Sequence, residues 1–182
     1  MKLSILLSLT LTLANASPII RRDGAAVVSA ITTLANQLTA LNSTVTSYEG
    51  GLAGSLTAVE IQLQDEAVVT DLQAAVTVTQ QSANFTETES EEVAVAVLDL
   101  EPKIVSVLAN LVAKKPDFET GLLGVFSLDA LVKSDLQQQK ILAARLGDAI
   151  VAKLTATYAA VAPLINDEIA DQFDSAIAAF SS

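Results

Sequence analysis

DGAAVVSAITTLANQLTALNSTVTSYEGG, residues 23–51, is the stretch that decides the fold. Its apolar positions Val27, Ile31, Leu34, Leu38, Leu41, Val45 and Tyr48 recur at spacings of 4, 3, 4, 3, 4 and 3. That rhythm places them all on one stripe of a helix. A near-strict heptad stripe seeks partner helices rather than a flat sheet. The stretch ends in Gly50-Gly51, which supplies the left-handed backbone of a helix C-cap without a Cβ penalty. Valine and threonine, abundant throughout the chain, are β-formers, so propensity alone leaves the class open and periodicity settles it.

Working outward, Leu52 to about Ala83 carries Leu52, Leu56, Val59 and Leu63 on one stripe, then Val68, Leu72, Ala75 and Val76 on another. This is either one long helix that changes neighbours or two helices with a bend near Gln64-Asp65. Residues 82–92 form a polar linker into a new helix. Thr88 or Ser90 can cap it, and Glu91 and Glu92 suit its positive end. That capping role accounts for the acids better than a metal site does. The helix passes Val93, Val97 and Leu98, bends or restarts near Glu101-Pro102, and continues through Ile104, Val105, Leu108, Leu111 and Val112. Lys114, Lys115 and Pro116 close it. Phe118 to Phe126 reads as a short helix or a tight apolar connection.

A long helix is expected from Ser127 to about Val161, with Leu128, Leu131, Val132, Leu136, Leu142, Leu146, Ala149, Ile150 and Leu154 inside. Gln137 to Lys140 and Asp148 would lie outside. After Pro163, a last helix runs from Leu164 to Phe180 on the stripe Ile165, Ile169, Phe173, Ile177 and Phe180. The expected architecture is an all-α bundle of about five amphipathic helices with short loops, as one domain over residues 23–182.

The segment before it reads as an address. Lys2, the apolar run from Leu3 to Leu13 and the small-residue site ending at Ala16 have the order of a cleavable secretion signal over residues 1–16. At about eleven residues the run is too short for the roughly 20 that span a bilayer. Residues 17–22 end in Arg21-Arg22 and resemble a short propeptide with a dibasic cleavage site. The chain ends at Ser182 with neither a Ser/Thr-rich stalk nor a hydrophobic anchor signal, so release without a transmembrane anchor is expected.

Composition narrows the chemistry. Formal net charge is -11, and loss of Lys2, Arg21 and Arg22 makes the mature chain more negative still, which disfavours nucleic acid and anionic membranes. Cysteine, histidine and tryptophan are absent, so the chain has no disulfides, no Ser-His-Asp or Cys-His catalysis and no His-ligated zinc. The acid pairs Glu101 with Asp99 and Asp135 with Asp129 read as solvated faces, since no spacing converges two carboxylates in a cleft. No catalytic residue, metal or cofactor is expected. Asn42-Ser43-Thr44 and Asn84-Phe85-Thr86 are glycosylation acceptors, the second in a loop and the first inside a helix.

Hydrophobic residues make up 51% of the chain, and the helices carry wide alanine and valine stripes. Small side chains leave volume between helices. Such a bundle can hold an elongated apolar ligand, or open its interior to a hydrophobic surface.

The signal and dibasic site, the closing run Ser47-Tyr48-Glu49-Gly50-Gly51 and the stretch Leu108-Ala-Asn-Leu-Val-Ala-Lys-Lys-Pro-Asp-Phe118 together resemble the fungal hydrophobic surface-binding protein family, which includes cell wall galactomannoproteins. The resemblance implies a secreted, extracellular or cell-wall-associated helical bundle without enzymatic activity. It further implies fatty acids or other lipids as ligands, or adsorption to hydrophobic surfaces with recruitment of secreted polyester hydrolases. On that reading the expected ligand-lining positions are Leu72, Val76, Val97, Leu108, Leu111, Phe118, Leu122, Phe126, Leu131 and Leu142.

Overall fold

The structure, a computed structural model, describes residues 24–120 and 127–181. Its elements are α1 (Gly24–Ser47), α2 (Ser55–Gln81), α3 (Glu87–Ala113), α4 (Lys115–Glu119), α5 (Asp129–Val151), α6 (Ala156–Ala159) and α7 (Ala162–Ala179). The described residues contain no strand. The heptad stripe of α1 is buried along its whole length, from Val27 to Tyr48. Gly50 and Gly51 have φ of 68° and 59°, the left-handed values expected of that C-cap. A Cβ on Gly50 would stand 2.5 Å from Thr120 Oγ1, so glycine there also admits the segment after α4.

The packing order is a closed ring. α1 lies between α2 and α3, α2 packs on α5, α5 on α7, and α7 returns to α3. Each long helix therefore has two neighbours and turns one face to a shared interior. α1, which carries no charged residue, is long and apolar enough to cross a membrane by length and composition alone. Here its apolar stripe is spent on the bundle core instead.

Several expected boundaries move. α2 is one continuous helix and not two. Its second stripe, Val68, Leu72, Ala75 and Val76, is buried, but Leu52, Leu56, Val59 and Leu63 are 72%, 85%, 53% and 62% exposed. α3 is capped by Thr86, not by Thr88 or Ser90. The Thr86 side chain accepts from the Glu89 amide while Glu89 accepts from the Thr86 amide, a reciprocal capping box. Glu87 and Glu89, rather than Glu91 and Glu92, occupy the first turn. Ser90 is buried and its hydroxyl accepts from the Thr155 amide at 3.1 Å.

That contact bears on another difference. The helix expected to reach Val161 stops at Val151, and the chain turns before α6. Thr155 is extended, and the Lys153 carbonyl accepts from the Phe85 amide at 2.8 Å. The 82–86 loop thus docks on the break and ties up backbone groups that a continuous helix would have used itself. Phe85 is buried there, so the linker is less polar in place than in composition. Pro102 lies inside α3 on its exposed side, and the helix is continuous through it. Facing water, the missing amide and the ring are tolerated without a break.

Candidate functional site

Apart from a wider, more open and more polar groove of about 720 Å³ between α1 and α3, two mainly apolar cavities occupy opposite ends of the ring. The larger, about 350 Å³, lies among α1, α3, α5, α6 and α7, with Leu72 of α2 completing the wall. Its apolar surface includes Ile31, Leu34, Val97, Leu100, Ile104, Leu146, Ile150 and Ile169. Space exists because small residues alternate with these: Ala94 on α3, Ala143 and Gly147 on α5, Ala162 on α7. Ala143 and Gly147 are four residues apart and so share one face of α5. A Cβ on Gly147 would come within 2.5 Å of Asn166 Oδ1, so glycine sets how closely α7 approaches.

The polar groups of this lining are Glu91, Tyr158 and Asn166, and no lysine or arginine joins them. Desolvation, together with the carboxylates of Glu91 and Glu87, holds the Tyr158 phenol above its ordinary value. Tyr158 is therefore a neutral hydrogen-bond donor across the physiological range. Val95, Leu98 and Val161 also line the cavity yet are about half exposed, which marks them as its rim.

The smaller cavity, about 190 Å³, lies at the other end among α1, α2, α3, α4 and α5. Leu41, Ala58, Ile61, Leu111, Phe118, Leu128, Val132 and Leu136 form its apolar wall. Val59 and Leu131 stand exposed at its edge. Gln62, Asp65 and Asp135 supply its polar side. Gln139 is buried and its amide donates to Asp65 Oδ1. Burial, reinforced by the charge of Asp135, pushes the Asp65 carboxyl up to about 7 against a weaker pull from Gln139. Burial and then Glu66 raise Asp135 as well. Between the cavities the core closes to a void of about 20 Å³ lined by Leu38, Val68, Val107, Leu108 and Phe173, among others.

The ten expected lining positions divide between these places. Leu72 and Val97 line the large cavity, and Leu111, Phe118 and Leu131 the small one. Leu108 borders the closed middle. Val76 and Leu142 are buried in the core outside both linings. Leu122 and Phe126 lie outside the described residues, as do Ala16, Arg21 and Arg22. Tyr158 was missed because the expected helix ran unbroken past it, and Asn166 because the last helix was read only for its apolar stripe. The Ala143–Gly147 pair was the available signal for the large cavity. The sequence reading paired Asp135 with Asp129 on a wet face and set Gln137 to Lys140 there too. Its actual partner region is Asp65 on a different helix, and Gln139 is buried beside it. Among the described residues no cluster of metal-ligating side chains occurs.

Asn84 is exposed in the loop before α3. Asn42 is half-buried in α1, where its amide donates to Ser106 Oγ at 3.1 Å and its Oδ1 accepts from Asn110 at 2.9 Å.

The sequence model of the family described as Hydrophobic surface binding protein A matches residues 24–152. Comparison with curated proteins gave no match. Among solved structures, the crystal structure of Afmp4p in complex with palmitic acid is similar at 28% identity and a TM-score of 0.80, covering 87% of this chain and 100% of that one. Ligand binding domain 2 of the Penicillium marneffei MP1 protein, complexed with multiple arachidonic acids, shares the fold at 21% identity and a TM-score of 0.78. That match covers 90% of this chain and 99% of that chain. Domain 1 of the same protein, complexed with arachidonic acids, shares it at 20% identity and a TM-score of 0.75, with 85% and 95% covered.

Proposed function

Because the chain belongs to the hydrophobic surface binding protein A family, we propose that it is a secreted, non-enzymatic carrier that holds a fatty acid or similar amphiphile in the large cavity. The observation that carries this reading is the cavity itself, an apolar volume of about 350 Å³ inside a closed ring of helices. Afmp4p, the relative at 28% identity, was solved with palmitic acid. The tail would lie against Ile31, Leu34, Val97 and Leu146. The head would meet the Tyr158 hydroxyl and the Asn166 amide, which donate hydrogen bonds to a carboxylate. With no cation in the lining and Glu91 beside it, the head is held by hydrogen bonds near the rim rather than by an ion pair. Affinity should therefore change little with salt. Secretion rests on the pattern of residues 1–22.

Lipid extracted from the protein purified from culture medium, identified by mass spectrometry, tests the reading together with displacement of a fluorescent fatty acid. Val97→Trp, which fills the large cavity, should abolish displacement while thermal unfolding stays cooperative. Wild-type protein that yields no lipid and displaces no probe would sink the carrier.

A second reading has its own observation. Leu56, Val59 and Leu63 stand at helical spacing on α2, all more than half exposed, with Leu52 just before them. Such a stripe suits adsorption to a waxy or polyester solid, where the bound protein would dock a secreted hydrolase. Depletion from solution by hydrophobic beads at high salt, lost in Leu56→Glu/Leu63→Glu, is the expected result. A protein that remains in solution while still taking up lipid is a carrier and not a coating.

A further inference from the structure

The small cavity differs from the large one in the chemistry of its polar side. Its apolar wall leads to Asp65 and Asp135, contributed by α2 and α5, and no lysine or arginine lines it. Every charged group that faces it has the same sign. α1 contributes only Leu41 and carries no charge anywhere, while α3 and α4 contribute only Leu111 and Phe118. Glu66, next to Asp65 on α2, acts on both aspartates. Gln139 anchors Asp65 from the buried side, so this carboxyl is held in position rather than free to swing into water.

A carboxylate head brought here would meet like charge in a partly desolvated place, which is unfavourable. A head with several N–H donors and a positive charge is the complement, since ionised carboxylates are acceptors only. The apolar wall requires a tail behind that head, and exposed Val59 and Leu131 at the edge give the tail a way in from solvent.

We propose that the small cavity is a second ligand site, separate from the large one, that takes an amphiphile with a primary ammonium head and a tail shorter than the large cavity accommodates. The ammonium lies between Asp65 and Asp135, and the tail runs over Ala58, Leu111, Phe118 and Leu136. The closed middle of the core keeps it apart from the other ligand. Burial and the neighbouring Asp135 charge hold the Asp65 carboxyl at about 7, and a bound cation favours the ionised form. Binding should therefore strengthen as pH rises through that value and release protons below it.

Calorimetric titration of the full chain with decylammonium chloride, and with sodium decanoate as the control, tests the site. The ammonium should bind at least tenfold more tightly than to Asp65→Asn/Asp135→Asn. Palmitate displacement in the same variant, measured separately, should be unchanged. Val132→Trp, which fills the cavity and leaves both carboxylates, should also lose the ammonium, so the result does not depend on how the double variant folds. Saturating palmitate should leave ammonium affinity unaltered. Equal affinity in wild type and double variant, or competition between palmitate and decylammonium, would overturn the proposal. A chain that takes decylammonium but no palmitate would instead overturn the fatty-acid reading and leave this one standing.

Discussion

The two ends of the ring share α1, α3 and α5 and differ mainly in the helices that complete them, α6 and α7 at one end and α2 and α4 at the other, and in what fills the gaps. At the large-cavity end, α5 and α7 meet through Gly147 and Asn166, and alanines at 94, 143 and 162 leave a volume whose walls are almost wholly apolar. At the small-cavity end the aromatic rings of Tyr48, Phe118 and Phe180 close the bundle, and Asp65 and Asp135 line the cavity. Burying an acid without a cation is unfavourable, and the raised Asp65 carboxyl is the visible consequence. Cavity volume follows side-chain size where the helices approach, and cavity chemistry follows the few polar residues of each lining.

The harshest way to break the comparison is to remove the aromatic anchor of the small end. Phe118 is 1% exposed, stacks on Tyr48 at 4.8 Å between ring centroids and meets Phe180 edge-on at 6.1 Å. Phe118→Ala should cost about 3–5 kcal/mol, read as a lower denaturant midpoint. Fatty-acid displacement should persist under native conditions, because Phe118 lines only the small cavity. Loss of both together in a folded variant would mean that the ends are not independent.

Next is the partition between the cavities. Leu108 is buried where the core narrows to about 20 Å³. Leu108→Ala should cost about 2–5 kcal/mol, the range for a buried leucine truncated to alanine. It should also extend the space open to a tail, so the variant should gain affinity for longer acyl chains relative to shorter ones. An unchanged chain-length preference would show that the two spaces do not approach each other through Leu108.

The third test separates the two ends by pH. A carboxyl raised in the folded state holds a proton that the unfolded chain releases, since the unfolded value is near 3.8 and the folded one about 7. Its stabilising contribution is thus fully present below the unfolded value and is lost as pH rises through the folded one. Relative to wild type, Asp65→Asn should be more stable at pH 8 by on the order of 1–3 kcal/mol, with discounting for its partial exposure to water. The gap should shrink steadily toward pH 4. Urea midpoints of both proteins across this range give the difference directly, and a constant gap would mean that Asp65 is not raised.

These ends were unequally legible. The α1 stripe, the Gly50-Gly51 stop and the all-helical class follow from spacing alone, because a heptad pattern has few alternative solutions. The large cavity was half visible. Valine and alanine stripes announced spare volume, and Val97 and Leu72 border it, but Tyr158 depends on the break after Val151 and Asn166 is a polar position on a helix read for its apolar stripe. That break follows from contacts of Phe85 and Ser90 with residues more than sixty positions away, which no local pattern encodes. Asp65 and Asp135 were illegible for a related reason. An acid on an amphipathic helix is read as solvated by default, and only the packing of α2 on α5 brings these two to one space. The stripe at Leu56, Val59 and Leu63 is the reverse case, apolar residues at core spacing that are left more than half exposed.

The smallest effect concerns a surface mark on the large-cavity end. Attachment of a glycan uses the asparagine amide nitrogen, and the two acceptors differ in what that atom is doing. Asn84 is exposed in the loop that docks beside the break after α5, while the Asn42 amide is engaged with Ser106 and its oxygen with Asn110, linking α1 to α3. In a eukaryotic secretory host, Asn84→Gln should remove a glycan-sized shift on a denaturing gel and leave stability within about 0.5 kcal/mol, as for other surface changes. Asn42→Gln should leave the gel position unchanged and cost about 1 kcal/mol through the lost hydrogen bonds between the helices. Transfer needs the asparagine amide accessible, so pairing of α1 with α3 ahead of it would leave Asn42 unmodified. A glycan found on Asn42 would therefore mean that attachment outruns the pairing of α1 with α3, and that the Asn42–Ser106–Asn110 contacts form only in the unmodified chain.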